Sequence, residues 1–278
     1  MIALYATFRK ECLSCQNLNL LPMKESLQPT ILFHFTKRKK ALYSILAETF
    51  KISYAREAIH GVDSKRELGV PMVSFCDVKL HDIKSHIKNY GSYGIGLTKE
   101  WANKNGLNPV LYINKQCELI GNLMLALNSL YVRLDQISES ASSNDMVGHY
   151  NNLLNIYRYV KNYEGPLKRK GKLISNSYRF ADEKEWRYVP PLKTPGVFAF
   201  LPISEIDTPW RKAARNKDIE HHRLQFEPDD IRYLIVKDDS DIIDLLLHLR
   251  TVKPRFDDPT IQRLSTRIFT AYQINHDI

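Results

Sequence analysis

The sequence predicts an α+β fold in which a core of short strands carries an inserted helical hairpin. Short apolar segments alternate with helical spacing between residues 31 and 113, as in layered α+β proteins. Two long helical faces occupy residues 118–163, and strand-like segments resume at residues 178–238. We therefore expect a single α+β domain over residues 1–278, with a helical insertion at 118–163 and a helical C-terminal tail at 240–278.

The first predicted strand is "ILFHFT" at residues 31–36, which is apolar and aromatic around His34. Such a run favours a buried strand. From Lys40 onward apolar residues recur at helical spacing, which predicts a helix directly after the strand. A histidine in a buried strand is either a hydrogen-bonded core residue or part of a site.

A second strand and helix are predicted from the segment "PMVSFCDV" at residues 71–78. Pro71 is expected to open this strand, because proline cannot donate to a central ladder. Apolar residues at helical spacing over 80–87 predict the helix that follows. Asp77 is the expected N-cap of that helix.

Three glycines, Gly91, Gly94 and Gly96, interrupt the strand predicted within residues 89–98. They match neither a P-loop nor G-x-G-x-x-G, and no helix opens at the required place. A glycine-interrupted edge strand explains them without a ligand.

Turn residues and apolar periodicity define the remaining elements. These are a helix at 98–103 ended by Gly106, strands at 109–113, 196–202 and 231–238, loops at 139–145 and 165–172, a helix at 241–250 capped by Ser240, and a helix at 259–272. The apolar faces of the hairpin are typical of core packing rather than of a cofactor site.

Composition limits the classes of function. The 278-residue chain has four cysteines, too few for a disulfide framework, which favours a cytoplasmic protein. The start of the chain lacks the pattern of a secretory signal, and no apolar run approaches the roughly 18 residues of a membrane span. A net charge of +9 permits contact with RNA or DNA, although solvated lysines explain it equally well.

Metal and hydrolase chemistry are not supported by the motifs. Cys12 and Cys15 have the C-x-x-C spacing of zinc ligands, but no second pair completes a site. We therefore predict no metal. The G-x-S-x-G elbow of hydrolases is also missing.

The acidic pair Glu183 and Glu185 is the remaining candidate from local sequence. On a strand, residues two apart face the same side, where two carboxylates raise each other's pKa unless cations intervene. The alternative is a solvent-facing strand edge paired with Arg179 or Arg187, and local sequence alone favours this alternative.

Three ordered motifs make the chain similar to a known family. They are "LFHFTKRKKALYSIL", "VPMVSFCDVKLHDIKSHIKNYGSYGIGLTKEWANKNGLNPVLYI" and "DEKEWRYVP". Together they resemble the AbiGi family of abortive-infection phage-resistance proteins over about residues 31–113 and 178–190. The resemblance implies a role in phage defence of the toxin–antitoxin type, with a cognate toxin or antitoxin as partner.

A second resemblance is to ADP-ribosyltransferases, whose strands carry His or Arg, then Ser or Thr, then a glutamate. Here "HFT", "VSFC" and "EKE" occur in that order. The resemblance implies a fold with a split mixed β-sheet core. It also implies an activity that uses NAD as a substrate. The residues that it implies are the catalytic pair Glu185 and Glu183 and the NAD-binding set His34, Phe35, Thr36, Ser74, Tyr90 and Tyr93, with Tyr54 as a further stacking candidate.

The roles in such a site follow from the charge that develops as nicotinamide leaves. Glu185 would accept a hydrogen bond from the ribose 2′-hydroxyl and stabilise the oxocarbenium-like state. His34 would hold a ribose hydroxyl, and Glu183 would orient or deprotonate the acceptor nucleophile.

Three hypotheses stay open at the level of sequence. The first is an NAD-dependent transferase that modifies a macromolecule, including nucleic acid. The second is a non-enzymatic partner in which the hairpin at 118–163 binds protein. The third is a nucleic-acid-binding regulator that uses the basic segments at 37–40, 168–172 and 211–217.

Overall fold

The computed structural model describes residues 29–62, 64–136, 141–169, 172–252 and 255–277. Cys12 and Cys15 lie outside these residues. The strands are β1 Ile31–Thr36, β2 Phe50–Lys51, β3 Ser53–His60, β4 Lys65–Cys76, β5 Tyr93–Thr98, β6 Asn108–Pro109, β7 Leu111–Ile113, β8 Val160–Asn162, β9 Glu164–Arg169, β10 Lys172–Arg179, β11 Glu185–Tyr188, β12 Leu201–Pro202, β13 Arg223–Leu224, β14 Ile231–Val236 and β15 Ile268–Thr270. The helices are α1 Lys39–Glu48, α2 Lys84–Tyr90, α3 Lys99–Lys104, α4 Glu118–Gln136, α5 Ala141–Tyr157, α6 Pro209–Asp218, α7 Ser240–Thr251, α8 Asp258–Ser265 and α9 Ala271–His276.

The main sheet is mixed, which agrees with the predicted α+β class. Its strand order is β15-β14-β5-β1-β4-β11-β6, and β14 and β15 are parallel while the other pairs are antiparallel. The predicted strand at 31–36 is confirmed as β1, which pairs along its length with β5. Its buried residues Leu32 and Phe33 anchor the sheet in the core.

Strand β4 is longer than predicted and belongs to two parts of the sheet. The prediction that Pro71 opens a strand is wrong, because β4 begins at Lys65 and pairs with β3, a strand that was not predicted. On the edge of β4 opposite β3, β12 pairs with residues 68–69 and β11 pairs with residues 73–76. Pro71 therefore lies in a gap between partners on that edge, where its missing N–H costs no ladder hydrogen bond.

The glycines of β5 make room for aromatic side chains of β1. A Cβ on Gly96 would lie 2.9 Å from a ring carbon of Phe33, and one on Gly94 would lie 2.9 Å from Phe35. Gly91 ends α2 with a φ of +119°, which L side chains rarely adopt. These packing needs explain the glycines without a ligand, but the prediction of an edge strand is wrong, because β5 pairs with β1 on one side and with β14 on the other.

The helical hairpin forms a satellite core against β3 and β4. Ile120, Leu127, Leu154 and Tyr157 are its buried residues. The second helix begins at Ala141, so residues 139–145 are not all loop as predicted. The helical insertion also ends earlier than 163, because β8 follows α5 and pairs in parallel with β7.

Several predicted boundaries differ because tertiary pairing overrides local pattern. Of the predicted loop at 165–172, residues 165–169 instead belong to β9 and Lys172 to β10, two strands that pair antiparallel. Only Leu201–Pro202 of the predicted strand at 196–202 pairs with another strand. Asp77 caps no helix, because its carboxylate accepts from Lys99 at 2.8 Å.

The C-terminal segment 240–278 is not wholly helical. Ser240 is the first residue of α7 rather than its cap, and its hydroxyl donates to Asp238 at 2.6 Å. The predicted helix at 259–272 is interrupted by β15, which extends the main sheet. Thr270 then caps α9 through the backbone N–H of Gln273.

Candidate functional site

A cleft opens where β1, β4, β8, β11 and α2 meet, and it encloses a cavity of about 230 Å³. It brings together most of the predicted site residues. Those that line it are His34, Phe35, Ser74, Tyr90, Glu183 and Glu185. The structural reason is strand pairing, because β4 lies between β1 and β11 and carries Ser74 beside both.

Ser74 forms hydrogen bonds with both His34 and Glu185. Its carbonyl oxygen accepts a hydrogen bond from His34 Nδ1 at 2.9 Å. Its hydroxyl donates to Glu185 Oε1 at 2.8 Å. His34 and Glu185 are therefore connected through one residue of the intervening strand, as the order of the motifs predicts.

His34 is a partly buried, neutral histidine. Burial lowers the pKa of its imidazole, and the hydrogen bond to Ser74 offsets this only in part. Since a carbonyl oxygen can only accept, the proton of the neutral ring lies on Nδ1. Nε2 has no hydrogen-bond partner among the described residues, so it can accept one from a ligand. The ring packs edge-to-face with Phe50 and lies tilted against Phe75.

Glu185 is the most heavily bonded carboxylate of the site. Oε1 accepts from Ser74 and, at 2.7 Å, from Arg187 Nε. Oε2 accepts from Lys161 Nζ at 2.6 Å and from Arg187 Nη2 at 3.3 Å. With two partners on each oxygen, the carboxylate has no lone pair left over. Burial alone would raise the pKa of Glu185, but Arg187 and Lys161 lower it well below its usual range.

Lys161 is the central cation of the cleft, although no sequence motif marks it. It lies on β8 and bridges Glu183 at 2.9 Å and Glu185 at 2.6 Å. Burial alone would lower the pKa of Lys161, but the negative charges of Glu185 and the neighbouring carboxylates outweigh burial and raise that pKa above its usual range. The residues before Lys161 continue the helical spacing of the hairpin, so no local signal identified it.

The alternative assigned to the acidic pair is correct in one respect. Arg187 does pair with Glu185, but both side chains are buried rather than solvent-facing. Arg187 also contacts Glu57 at 3.0 Å. Arg179, the other expected partner, instead lies 3.8 Å from Asp182.

Glu183 reaches the cleft from a 3-10 turn at Phe180–Glu183 rather than from a strand. The strand predicted for both acidic residues is therefore wrong at Glu183, although both carboxylates face Lys161. Tyr90 donates a hydrogen bond to Glu183 Oε1. Burial, and after it the charge of Glu183, raises the pKa of the Tyr90 phenol well above its usual range.

Three predicted residues lie away from this cleft. Tyr93 donates to Asp241 at 2.9 Å and lines a different depression. Thr36 is at the end of β1, where its Oγ1 accepts from the backbone of Arg38 at 3.5 Å. Tyr54 is buried.

The cleft is thus an ordered ionic network of three carboxylates, Glu57, Glu183 and Glu185, around Lys161 and Arg187. In the part of the chain that the structure describes, no group of three or more His, Cys, Asp or Glu side chains could hold a metal ion.

Comparison with known proteins identifies the family. The family model described as "Putative abortive phage resistance protein AbiGi, antitoxin" matches residues 35–237. The chain belongs to the AbiGi family. The match spans the hairpin as well as Ser74, Glu183 and Glu185, and it begins one residue after His34.

A relative from Lactococcus lactis subsp. cremoris supports the AbiGi assignment. This "Abortive phage resistance protein AbiGi" is 28% identical over 185 residues, which are 62% of this chain and 73% of the relative. No solved structure matches the chain. The resemblance to ADP-ribosyltransferases therefore stays a prediction. Among the described residues, no helix has the length and apolarity required to cross a bilayer.

Proposed function

We propose that this AbiGi-family chain acts in phage defence as an antitoxin-type component that binds a partner protein through its helical hairpin. The observation that carries the proposal is the apolar outer surface of α4. Leu125 and Val132 are 68% and 52% exposed. They lie seven residues apart and thus on one face of the helix, which we call the outer face.

The outer face is distinct from the side of α4 that packs into the satellite core. Ile120 and Leu127 are 2% exposed and fill that core. Two further exposed apolar residues of α4, Leu119 and Tyr131, lie roughly 100° or more around the helix from the outer face. Clustered apolar side chains on a water-facing surface mark sites of protein contact more often than isolated ones. The antitoxin description of the family model agrees with a protein-binding role.

The state of Glu185 also favours binding over catalysis. A carboxylate that stabilises a departing nicotinamide must accept from the ribose, but both oxygens of Glu185 are already occupied by Ser74, Arg187 and Lys161. A ligand would first have to displace a cation from it. The network is therefore built as an internal support of the fold rather than as an open acceptor.

The substitution pair Leu125→Asp and Val132→Asp is expected to abolish toxin neutralisation. Candidate toxins are the products of the genes that flank the gene for this chain. Each candidate is expressed in a bacterial host, once alone and once together with this chain. Wild type should relieve growth arrest. The double variant should not, because burying two carboxylates in an apolar interface costs at least about 2 kcal/mol, or roughly 30-fold in Kd.

The matched control is Leu247→Asp, since Leu247 is 54% exposed on α7, away from the hairpin. This variant should neutralise like wild type, and circular dichroism should show that all variants are folded. Neutralisation by the double variant would contradict the proposed surface. Growth arrest by the chain expressed alone would contradict the antitoxin role.

A second candidate function, transfer of ADP-ribose from NAD, is favoured by one observation: His34, Ser74, Glu183 and Glu185 line one cleft. Nε2 of His34 could accept from a ribose hydroxyl. The cavity of about 230 Å³ is smaller than the roughly 300–1,000 Å³ of small-molecule pockets, so a dinucleotide would extend beyond it.

This candidate predicts that wild type releases nicotinamide from NAD and that His34→Ala lowers the rate about a hundredfold, as loss of one positioned hydrogen bond does. Nicotinamide is measured by chromatography. His149→Ala, an exposed histidine on the hairpin, is the control and should leave the rate unchanged. If wild type neither binds NAD at millimolar concentration nor releases nicotinamide, the cleft does not perform this reaction.

A further inference from the structure

A second depression, of about 770 Å³, lies on the other side of α2 and is strongly basic. We call it the basic depression, because four lysines line it: Lys37, Lys84, Lys88 and Lys237. These lysines come from three separate parts of the chain: the turn after β1, helix α2 and the end of β14. Among the described residues, no acidic side chain lines it.

The lysines of the basic depression are largely free of internal partners. Lys37, Lys84 and Lys88 are exposed and form no ion pair with the described residues. Lys237 lies 3.6 Å from the half-exposed Asp238, a contact that water weakens. Four positive charges therefore face a common space without neutralisation, which favours an anionic partner.

Another acidic group, which contacts a wall of the basic depression, is already engaged elsewhere. Asp241 receives Lys39 at 2.5 Å and the hydroxyl of Tyr93 at 2.9 Å. Tyr93 is itself a wall of the depression, whereas Asp241, to which its hydroxyl donates, does not line it. The local field inside the basic depression is therefore set by its lysines.

Another basic segment of the chain does not share this property. In α6, Arg211 pairs with Asp207 at 3.1 Å and Arg215 pairs with Glu205 at 2.5 Å. These arginines are neutralised by acidic neighbours on the same surface. Unlike the arginines of α6, the lysines of the basic depression are therefore not neutralised by acidic neighbours.

The remaining lining groups suit a phosphate backbone. Ser85, Ser92 and Asn275 offer hydroxyl and amide donors, and Ile87 and Tyr93 add an apolar wall. Hydroxyl and amide side chains together with lysines are the usual partners of phosphate oxygens. An aromatic ring beside such donors can also contact a sugar or base.

We propose that the basic depression binds the sugar–phosphate backbone of a single nucleic-acid strand without sequence preference. The inference does not depend on the hairpin or on NAD. Helix α2 separates the two sites, since His86 and Tyr90 line the cleft while Lys84 and Lys88 line the depression. A bound strand would therefore lie one helix away from the ionic network of the cleft.

The test is binding of fluorescent 12-nucleotide RNA and DNA strands across a salt series. Four phosphate contacts predict a slope of about −2.8 in log affinity against log salt, or about a 50-fold loss between 50 and 200 mM. The variant Lys84→Gln with Lys88→Gln should show a slope of about −1.4 and only about a sevenfold loss.

The control variant removes two lysines elsewhere, Lys104→Gln with Lys115→Gln, both exposed and unpaired among the described residues. It should bind with the wild-type slope. An equal loss in the control would mean that net charge alone attracts the strand and would overturn the proposal, as would an unchanged slope in the first variant. A polyglutamate peptide that binds as tightly as the strands would assign the depression to acidic protein instead.

Discussion

The substitution Glu185→Ala is expected to lower the free energy of unfolding by about 3–5 kcal/mol at neutral pH. It removes the shared carboxylate and leaves Arg187 and Lys161 in a buried site with one fewer anion. Arg187 is fully buried, so solvent does not compensate for the loss. Urea denaturation followed by circular dichroism measures the change.

Glu220→Ala is the control for this prediction, since Glu220 is exposed and has no ion pair among the described residues. Its effect should stay within about 0.5 kcal/mol. If Glu185→Ala unfolds at the same urea concentration as wild type, the network does not support the fold as we infer.

This expectation changes how the acidic pair should be tested for catalysis. Loss of any activity in Glu185→Ala would arise from unfolding as well as from chemistry. His34 is the better probe, because its side chain makes one hydrogen bond, to Ser74, and no ion pair. A stability measurement and an activity measurement on the same variants separate the two causes.

The sequence was informative wherever a local pattern coincided with the final packing. Strand β1 was predicted from its apolar and aromatic run, and the structure adds that the glycines of β5 leave room for its aromatic side chains. His34, Ser74 and Glu185 were grouped by the resemblance to ADP-ribosyltransferases, and they lie on the adjacent strands β1, β4 and β11. Their grouping therefore came from the order of the motifs along the chain rather than from local pattern.

Other features depend on pairing between distant segments, which local pattern does not encode. Lys161 enters the cleft only because β8 pairs with β7, some 50 residues earlier in the chain. At Glu183 the strand pattern failed because Lys184 adopts a left-handed conformation with a φ of 43°. That turn redirects the chain between the two carboxylates, yet both still converge on the same lysine.

The substitution Lys161→Met is expected to destabilise the protein by about 3 kcal/mol at pH 7, and less at acidic pH. In wild type, burial raises the pKa of Glu185 but Arg187 and Lys161 lower it below the unfolded value of about 4.5. The stability from this shift is present above that value and is lost as pH falls.

Without Lys161, Glu185 keeps only one cation, so its folded pKa rises and the variant lacks the stability that the lysine contributed at neutral pH. Each unit of that rise is a deficit of about 1.4 kcal/mol at pH 7. The deficit fades only as pH falls through the folded pKa of Glu185 in the variant toward the lower folded pKa in wild type, because the unfolded state is common to both proteins. Urea denaturation of both proteins between pH 7 and about pH 2 measures it. Lys193→Met, an exposed lysine without an ion pair among the described residues, should track wild type throughout. A gap between Lys161→Met and wild type that is constant with pH would mean that the lysine acts through packing rather than through its charge on Glu185.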